Sequence, residues 1–308
     1  MFTLAEKHLS KLCEQNFFEI DSSVMIFFGL RGCLPADDLD HTFRTEHQLI
    51  SASINHTNPR CTLIQWRPAN GEFAVFPAST VPSRKYIGKS LEKGGVGANQ
   101  MMTGYYKDFR KGKHKPGGPT AHDAFRETSA RPIRRTADDY DFDNDDRVEF
   151  ANPNDNMHAA WCQSVESTNF ASAGCQVIVG YPECEKRGSQ PALGPWKEFK
   201  ENAYAINQTS FPYVLLNGRD AFRIAAAGSG KISGRLRFGS SGKQVEKLQE
   251  LLKNQNFYEG NIDGDFGRRT VKALLEYQEN VFGDGEDDGI VGPNTSVSLG
   301  LALPEIKL

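Results

Sequence analysis

The chain opens with apolar residues at helical spacing. Phe2, Ala5, Leu9, Leu12 and Cys13 fall along one side of residues 1–18, with Glu6, Lys7, Lys11 and Glu14 among them, which predicts an amphipathic helix. The pattern then shortens to strand length. Residues 24–30 are apolar and read as a buried strand, closed by Arg31, Gly32 and Pro35, whereas residues 36–60 are polar, carry His41, His47 and His56, and have no clear period. The apolar runs 61–66 and 72–77 flank Asn70-Gly71, whose positive-φ preference predicts a β-hairpin. Residues 101–106 and 124–134 are further strand candidates on either side of a Gly/Lys/Pro loop at 111–119. Strands spaced by turns, without intervening helices, predict a mainly antiparallel β domain.

Further on, residues 195–204 read as a short helix with Pro195 in its first turn, and 211–217 as a strand ending in a turn. Composition shifts at 225–231 to Ala, Gly and Ser, the mark of a flexible linker. The expected organisation is a first domain over 1–226, a linker over 227–234 and a second domain over 235–308. The second domain contains a repeat: Asp263-Gly264-Asp265-Phe266-Gly267 is echoed by Asp288-Gly289-Ile290-Val291-Gly292. Each copy sets a turn, an apolar plug, a glycine and a helix start. Val245, Leu248, Leu251 and Leu252 mark one amphipathic helix, and Val271, Leu274, Leu275 and Gln278 another, so this is a three-helix module. The fold class is α+β.

Composition narrows the classes of function. A 308-residue chain with 38% hydrophobic residues and 20 Phe builds folded cores. A net charge of −3 gives no overall pull toward nucleic acid or anionic membranes, and no apolar run reaches the roughly 20 residues of a membrane helix. The first eighteen residues lack the uninterrupted apolar segment and cleavage site of a secretory signal, so synthesis in the cytoplasm is expected. Six cysteines with no CxxC pair do not make a disulfide scaffold; Cys13, Cys33 and Cys61 read as buried apolar residues, and Cys162 and Cys184 flank the candidate site, where an oxidising space would let them pair. Residues 138–146 form an acidic loop in which Asp141, Asp143 and Asp145 alternate as in a calcium loop, but the glycine and distal glutamate are missing.

The candidate chemistry centres on residues 172–178. Cys175 stands between a small-residue turn and the apolar run Gln176-Val177-Ile178-Val179, a setting that suits a presented nucleophile, and His158 lies seventeen residues upstream. Two neighbouring strands would bring the pair together. Cys175 would attack a carbonyl, His158 would take and return the proton, and backbone N–H groups around Gly174 and Cys175 would hold the oxyanion. Asn156, Ser172 or a backbone carbonyl would orient the imidazole; the alternative role for Ser172 is to cap the turn. Asn156, Gln176 and, more weakly, Tyr105 are candidate substrate contacts.

Two resemblances sharpen this reading. The pattern of Leu236, Gly239, Gly242, Val245, Leu248, Gln249 and Leu252, with the two DG turns, Tyr277-Gln278 and Pro293, resembles the peptidoglycan-binding domain found at the ends of bacterial cell-wall enzymes. It implies a shallow groove for a stem peptide or glycan. His158, Ser172, Gly174 and Cys175 resemble the L,D-transpeptidase motif, a His followed by Ser/Thr-His-Gly-Cys, with Ala173 in place of the second histidine and Gln176 in place of the Arg or Asn after the cysteine. That resemblance implies a β-sandwich and a cysteine enzyme that cleaves or exchanges stem-peptide bonds through a thioester, with no cofactor. Its partner is peptidoglycan and its place of action the periplasm. Phage lysis, or contact-dependent secretion into a rival cell with an immunity protein in the producer, would deliver it. The alternatives are a zinc peptidase or amidase using His114, His122, Asp123 and His158, and a wall-binding protein without catalysis.

Overall fold

Before its first helix the chain makes a strand, β1 (Phe2–Ala5), and the helix α1 follows over Glu6–Gln15. The expected helix over 1–18 is shorter at both ends because Phe2 and Leu4 alternate inward with period two and pair with a strand. The computed structural model describes residues 1–308 apart from 95, 137, 138, 141, 143–145 and 284. The calcium-loop residues Asp141, Asp143 and Asp145 therefore lie outside the described residues.

Next come β2 (Ile26–Arg31), β3 (Cys33–Pro35), β4 (Glu46–Ser51), β5 (Cys61–Arg67) and β6 (Glu72–Ser79). β4 lies in the stretch without an evident period: only His47 and Leu49 of its six residues turn inward, too few to read. The β5–β6 hairpin forms as expected, but a single turn of 3-10 helix over Pro68–Asn70 makes its bend, and Gly71 alone takes positive φ (67°). After helix α2 (Arg84–Glu92) follow β7 (Ala98–Met101), β8 (Gly104–His114), β9 (His122–Glu127), β10 (Arg131–Thr136), β11 (Val148–Ala151), β12 (Met157–Ala159) and β13 (Gln176–Ile178). β8 runs through half of the expected 111–119 loop. The chain continues with α3 (Pro195–Tyr204), β14 (Ser210–Asn217), α4 (Gly218–Ala227) and β15 (Lys231–Ser233), then α5 (Lys243–Asn254), α6 (Arg268–Phe282), α7 (Pro293–Leu299) and β16 (Glu305–Lys307).

The α+β, mainly antiparallel reading holds, and its sandwich is refined. Eight strands close into a barrel in the order β12-β13-β6-β5-β2-β14-β8-β9, with only β12/β13 and β2/β14 parallel. Closure leaves no free edge in this sheet. Its interior is aromatic: Phe27 stacks on Phe211 with ring centroids 4.5 Å apart, and Phe199 of α3 packs on both Phe27 and Phe76. A second core lies outside the barrel, where α1, α4 and β1 cover Phe28, Ile64, Trp66 and Val75.

The three helices of the C-terminal module form as expected, and the repeat has a physical cause. In the first copy buried Gln249 accepts the N–H groups of Asp263 and Gly264 (both 3.0 Å) and donates to Asp263 Oδ1 (2.7 Å). Gln278 does the same in the second copy, accepting from Gly289 N (2.9 Å) and donating to Asp288 Oδ1 (2.8 Å), the Ile290 carbonyl and Thr295 Oγ1. Each buried amide thus satisfies a whole turn. Gln278→Leu keeps the volume and strands these partners, so it should cost about 2–4 kcal/mol in urea unfolding; a loss under about 0.5 kcal/mol would refute the account.

Within the expected linker over 227–234, Lys231–Ser233 form β15. β15 pairs with β16, and the chain beyond it is bonded to the barrel side: Arg235 N to the Gln15 carbonyl (2.8 Å), Ser240 Oγ to the Asn16 carbonyl (2.6 Å), and Tyr105 N to the Phe238 carbonyl (2.9 Å). Gly239, at φ 87°, rests on the Tyr105 backbone, where a Cβ would come within 2.5 Å of the Tyr105 carbonyl oxygen.

Candidate active site

Successive strand residues face opposite ways, and this alternation decides which side chains meet. On β12, Met157 and Ala159 point into the barrel, so His158 points out. On β13, Gln176 points in, where its Oε1 accepts from Tyr213 Oη (2.9 Å), and Cys175 just before it faces outward with Val177. The two strands are parallel neighbours with His158 opposite Val177. On the other side, His114 and His122 are direct partners at the ends of β8 and β9 and therefore share a face. Four adjacent strands thus gather three imidazoles and one thiol.

The group is close-packed. The His114 and His158 rings stack at 4.0 Å, and His122 stands 5.4 Å from the first and 5.3 Å from the second. One ring nitrogen each of His114 and His158 and the Cys175 Sγ lie within 4.8 Å of one another. His158 is 2% exposed and Cys175 8%, at the floor of a cleft of about 630 Å³. The Nδ1 of His158 is 2.8 Å from the Ala159 carbonyl and so carries the proton. Its Nε2 is buried without a hydrogen-bond partner among the described residues.

The electrostatics follow from burial. Burial first, then His114 and His122, pushes His158 well below the ordinary histidine value, and burial with His122 drives His114 down to about 3. Burial first, then the carboxyls of Asp155 and Glu127, pushes the Cys175 thiol well above its usual value. The resting pair is therefore a neutral thiol beside a neutral imidazole.

Beneath the thiol the turn is braced from two sides. Ser172 Oγ donates to the Cys175 carbonyl (2.8 Å) and accepts from Gly174 N (3.2 Å). Asn99 donates its backbone N–H to the Ala173 carbonyl (3.3 Å) and its side-chain amide to the Asp155 carboxyl. Asp155 N donates to Glu127 Oε1 (2.9 Å), and Arg131 Nε pairs with Glu127 Oε2 (3.0 Å). Burial, then Glu127, holds the Asp155 carboxyl well above the usual carboxylate range.

Cys175, His158 and Asn156 line the cleft, while Ser172 and Gly174 shape the turn below it. Two expected substrate contacts are corrected. Gln176 is inside the barrel, because one residue's step along a strand reverses the face. Tyr105 is buried against Phe18, ring centroids 5.6 Å apart, under the C-terminal module. Of the zinc alternative's residues, His114, His122 and His158 come together, but Asp123 is paired elsewhere, with Lys113 (2.7 Å) and Lys200 (3.9 Å). Cys162 and Cys184 are buried free thiols.

Sequence reasoning missed Asn99, Asp155 and Glu127, and also the basic rim: Lys85, Lys113, Lys115, Arg126 and Lys186 line the cleft, against Asp155 as the one acidic residue among those described there. The run Asn152-Pro153-Asn154-Asp155-Asn156 just before His158 was the available signal for Asp155. Nothing in the sequence pattern marked Asn99.

Residues 241–299 match the family described as "putative peptidoglycan binding domain". Among curated proteins, the chain is 39% identical over 61 residues to a spore cortex-lytic enzyme of Bacillus subtilis, covering 20% of each chain. It is 45% identical over 58 residues to N-acetylmuramoyl-L-alanine amidase CwlM of Mycobacterium tuberculosis, covering 19% of this chain and 14% of the relative. A spore cortex-lytic enzyme of Bacillus cereus is 44% identical over 61 residues, covering 20% and 23%. The chain thus spans less than a quarter of the length of these relatives. No solved structure matches the chain. No helix among the described residues is long and apolar enough to cross a membrane.

Proposed function

We propose that this chain, which ends in a peptidoglycan-binding domain, is a cell-wall enzyme whose Cys175 and His158 break or exchange peptide bonds of acidic stem peptides. The observation that carries this is the convergence of Cys175 Sγ and an imidazole whose Nε2 has no hydrogen-bond partner among the described residues, at the floor of a cleft rimmed by five cations. Relatives named as cortex-lytic enzymes and as an amidase support the wall as the place of action. The cations suit a donor that carries free carboxylates.

In this mechanism Cys175 Sγ attacks the donor carbonyl as its proton passes to His158 Nε2, held in place by the Nδ1 bond to Ala159. Backbone N–H groups of the Gly174–Cys175 turn stabilise the oxyanion. His158 then protonates the leaving amine, and a thioester remains on Cys175. An amine acceptor gives exchange or a cross-link of L,D-transpeptidase type; water gives carboxypeptidase trimming. Ser172 holds the turn in this scheme. Phage lysis and contact-dependent secretion, the latter with an immunity protein, are the delivery routes that accompany it.

The test is to incubate the protein with purified sacculi, quench in acid, and measure the intact mass of the protein alongside the muropeptides. A stem-peptide adduct on Cys175 together with altered muropeptides is expected. Altered muropeptides without any adduct, abolished by a chelator, would sink the thioester and favour the zinc alternative.

A further inference from the structure

The donor set that serves the thiol chemistry also has the composition of a metal site, and we propose that His114, His158 and Cys175 bind a zinc-like divalent ion that blocks the nucleophile. This rests on the reading of Cys175 as nucleophile for its consequence, but not for the site itself.

Imidazole nitrogen and thiolate sulfur are both zinc donors, and a three-residue set leaves a fourth position open. Bond lengths of about 2.0–2.1 Å to nitrogen and 2.3 Å to sulfur place donors about 3.3–3.6 Å apart around a tetrahedral ion. Here the three donor atoms already lie within 4.8 Å of one another, so rotations of about an ångström close the set. All three donor residues line the cleft, from which a fourth ligand would enter.

Two further observations point to a ligand. His158 Nε2 is a polar atom with no partner among the described residues, on a residue 2% exposed, and Nδ1 is tied to a carbonyl, the outer bond that ligating histidines usually carry. His114 Nδ1 lies 3.1 Å from the Asn156 side-chain amide, whose Oδ1 has no partner among the described residues. A half-turn of that amide sets Oδ1 against Nδ1–H and leaves the His114 Nε2 free to ligate. An ion bound through sulfur displaces the thiol proton, which leaves as H⁺.

A zinc-bound thiolate has given its lone pair to the metal, and His158 Nε2 can no longer accept a proton. Both partners of the acyl-transfer pair are withdrawn at once.

The test uses the full chain, reduced and desalted, titrated with Co²⁺ alone. One equivalent should raise a sulfur-to-cobalt charge-transfer band that Cys175→Ser removes. Competition against a chromophoric chelator should give a Zn²⁺ affinity that falls at least about 100-fold in His114→Ala, since a ligand should matter at least as much as the outer-shell partners whose loss costs about 10–100-fold. No band, a band that survives Cys175→Ser, or unchanged affinity in His114→Ala overturns the site. With sacculi, stoichiometric Zn²⁺ should stop muropeptide change and a chelator should restore it; activity that requires Zn²⁺ overturns the blocking role. If Cys175 never acquires an acyl adduct, the thioester reading fails by itself, while the band and its loss still decide the metal site.

Discussion

A Cys175→Ala protein should still sediment with sacculi and leave their muropeptides unchanged, with turnover down at least ~10⁴-fold. Binding survives because Cys175 lies on the barrel, and the module over residues 241–299 is built on its own core of Leu236, Leu248, Leu252, Phe266 and Leu274. His158→Gln should lose about 10²–10⁴-fold, the usual worth of a positioned base. The two variants should differ in pH dependence. With His158 in place the acid limb of kcat/KM lies well below 6.5, because the imidazole stays neutral down to its lowered value. Without it, attack waits on spontaneous ionisation of a thiol that burial has pushed up, so the residual rate should climb steadily through the alkaline range. A His158→Gln profile that is flat with pH would remove His158 from the proton transfer. Loss of sedimentation in Cys175→Ala would point instead to a folding defect.

How much of this was legible in the sequence depends on how local each signal is. The module was readable because each repeat is a self-contained unit: the side chain of Gln249 bonds within residues 263–270, and that of Gln278 within 288–295. The β5–β6 hairpin was readable for the same reason. Barrel closure was not, because it depends on pairings such as β2 with β14 and β9 with β12, which no local period encodes. The strand within the expected linker was not legible either, because Lys231, Ile232 and Ser233 find partners more than seventy residues away.

The cleft divides along the same line. Cys175 and His158 were visible as residue types on adjoining strands, and their partnership needed only neighbouring placement. Tyr105 and Gln176 went astray because a side chain's face changes with every residue, and the phase is set by barrel packing. His114 and His122 were weighed only as zinc ligands, since Gly112 and Lys113 looked like loop. Once β8 extends to His114, its pairing with β9 puts the two histidines opposite each other beside His158.

Gly174→Ala should be the most destructive small substitution near the site. Gly174 has φ 146°, a conformation L-residues rarely adopt, and a Cβ there would overlap the Asn99 amide and lie 2.5 Å from Asp155 Oδ1. Neither neighbour can retreat freely, since Asn99 Oδ1 is 3.4 Å from Arg135 Nη1 and Asp155 N is tied to Glu127. The conformational part can be measured separately at Gly117, which has φ 83° and nothing within 4 Å of its ideal Cβ. Gly117→Ala should cost about 1–2 kcal/mol, and Gly174→Ala about 4 kcal/mol or more, with activity falling toward the Cys175→Ala level. Asn99→Ala removes one of the two clashing groups. The double variant Gly174→Ala with Asn99→Ala should therefore be more stable than the sum of the single losses predicts, by more than about 0.5 kcal/mol in urea unfolding. Additive losses would mean that the turn relaxes away from Asn99. The thiol would then owe its position to Ser172 and to Gln176 Nε2, which donates to the Gly174 carbonyl (3.0 Å).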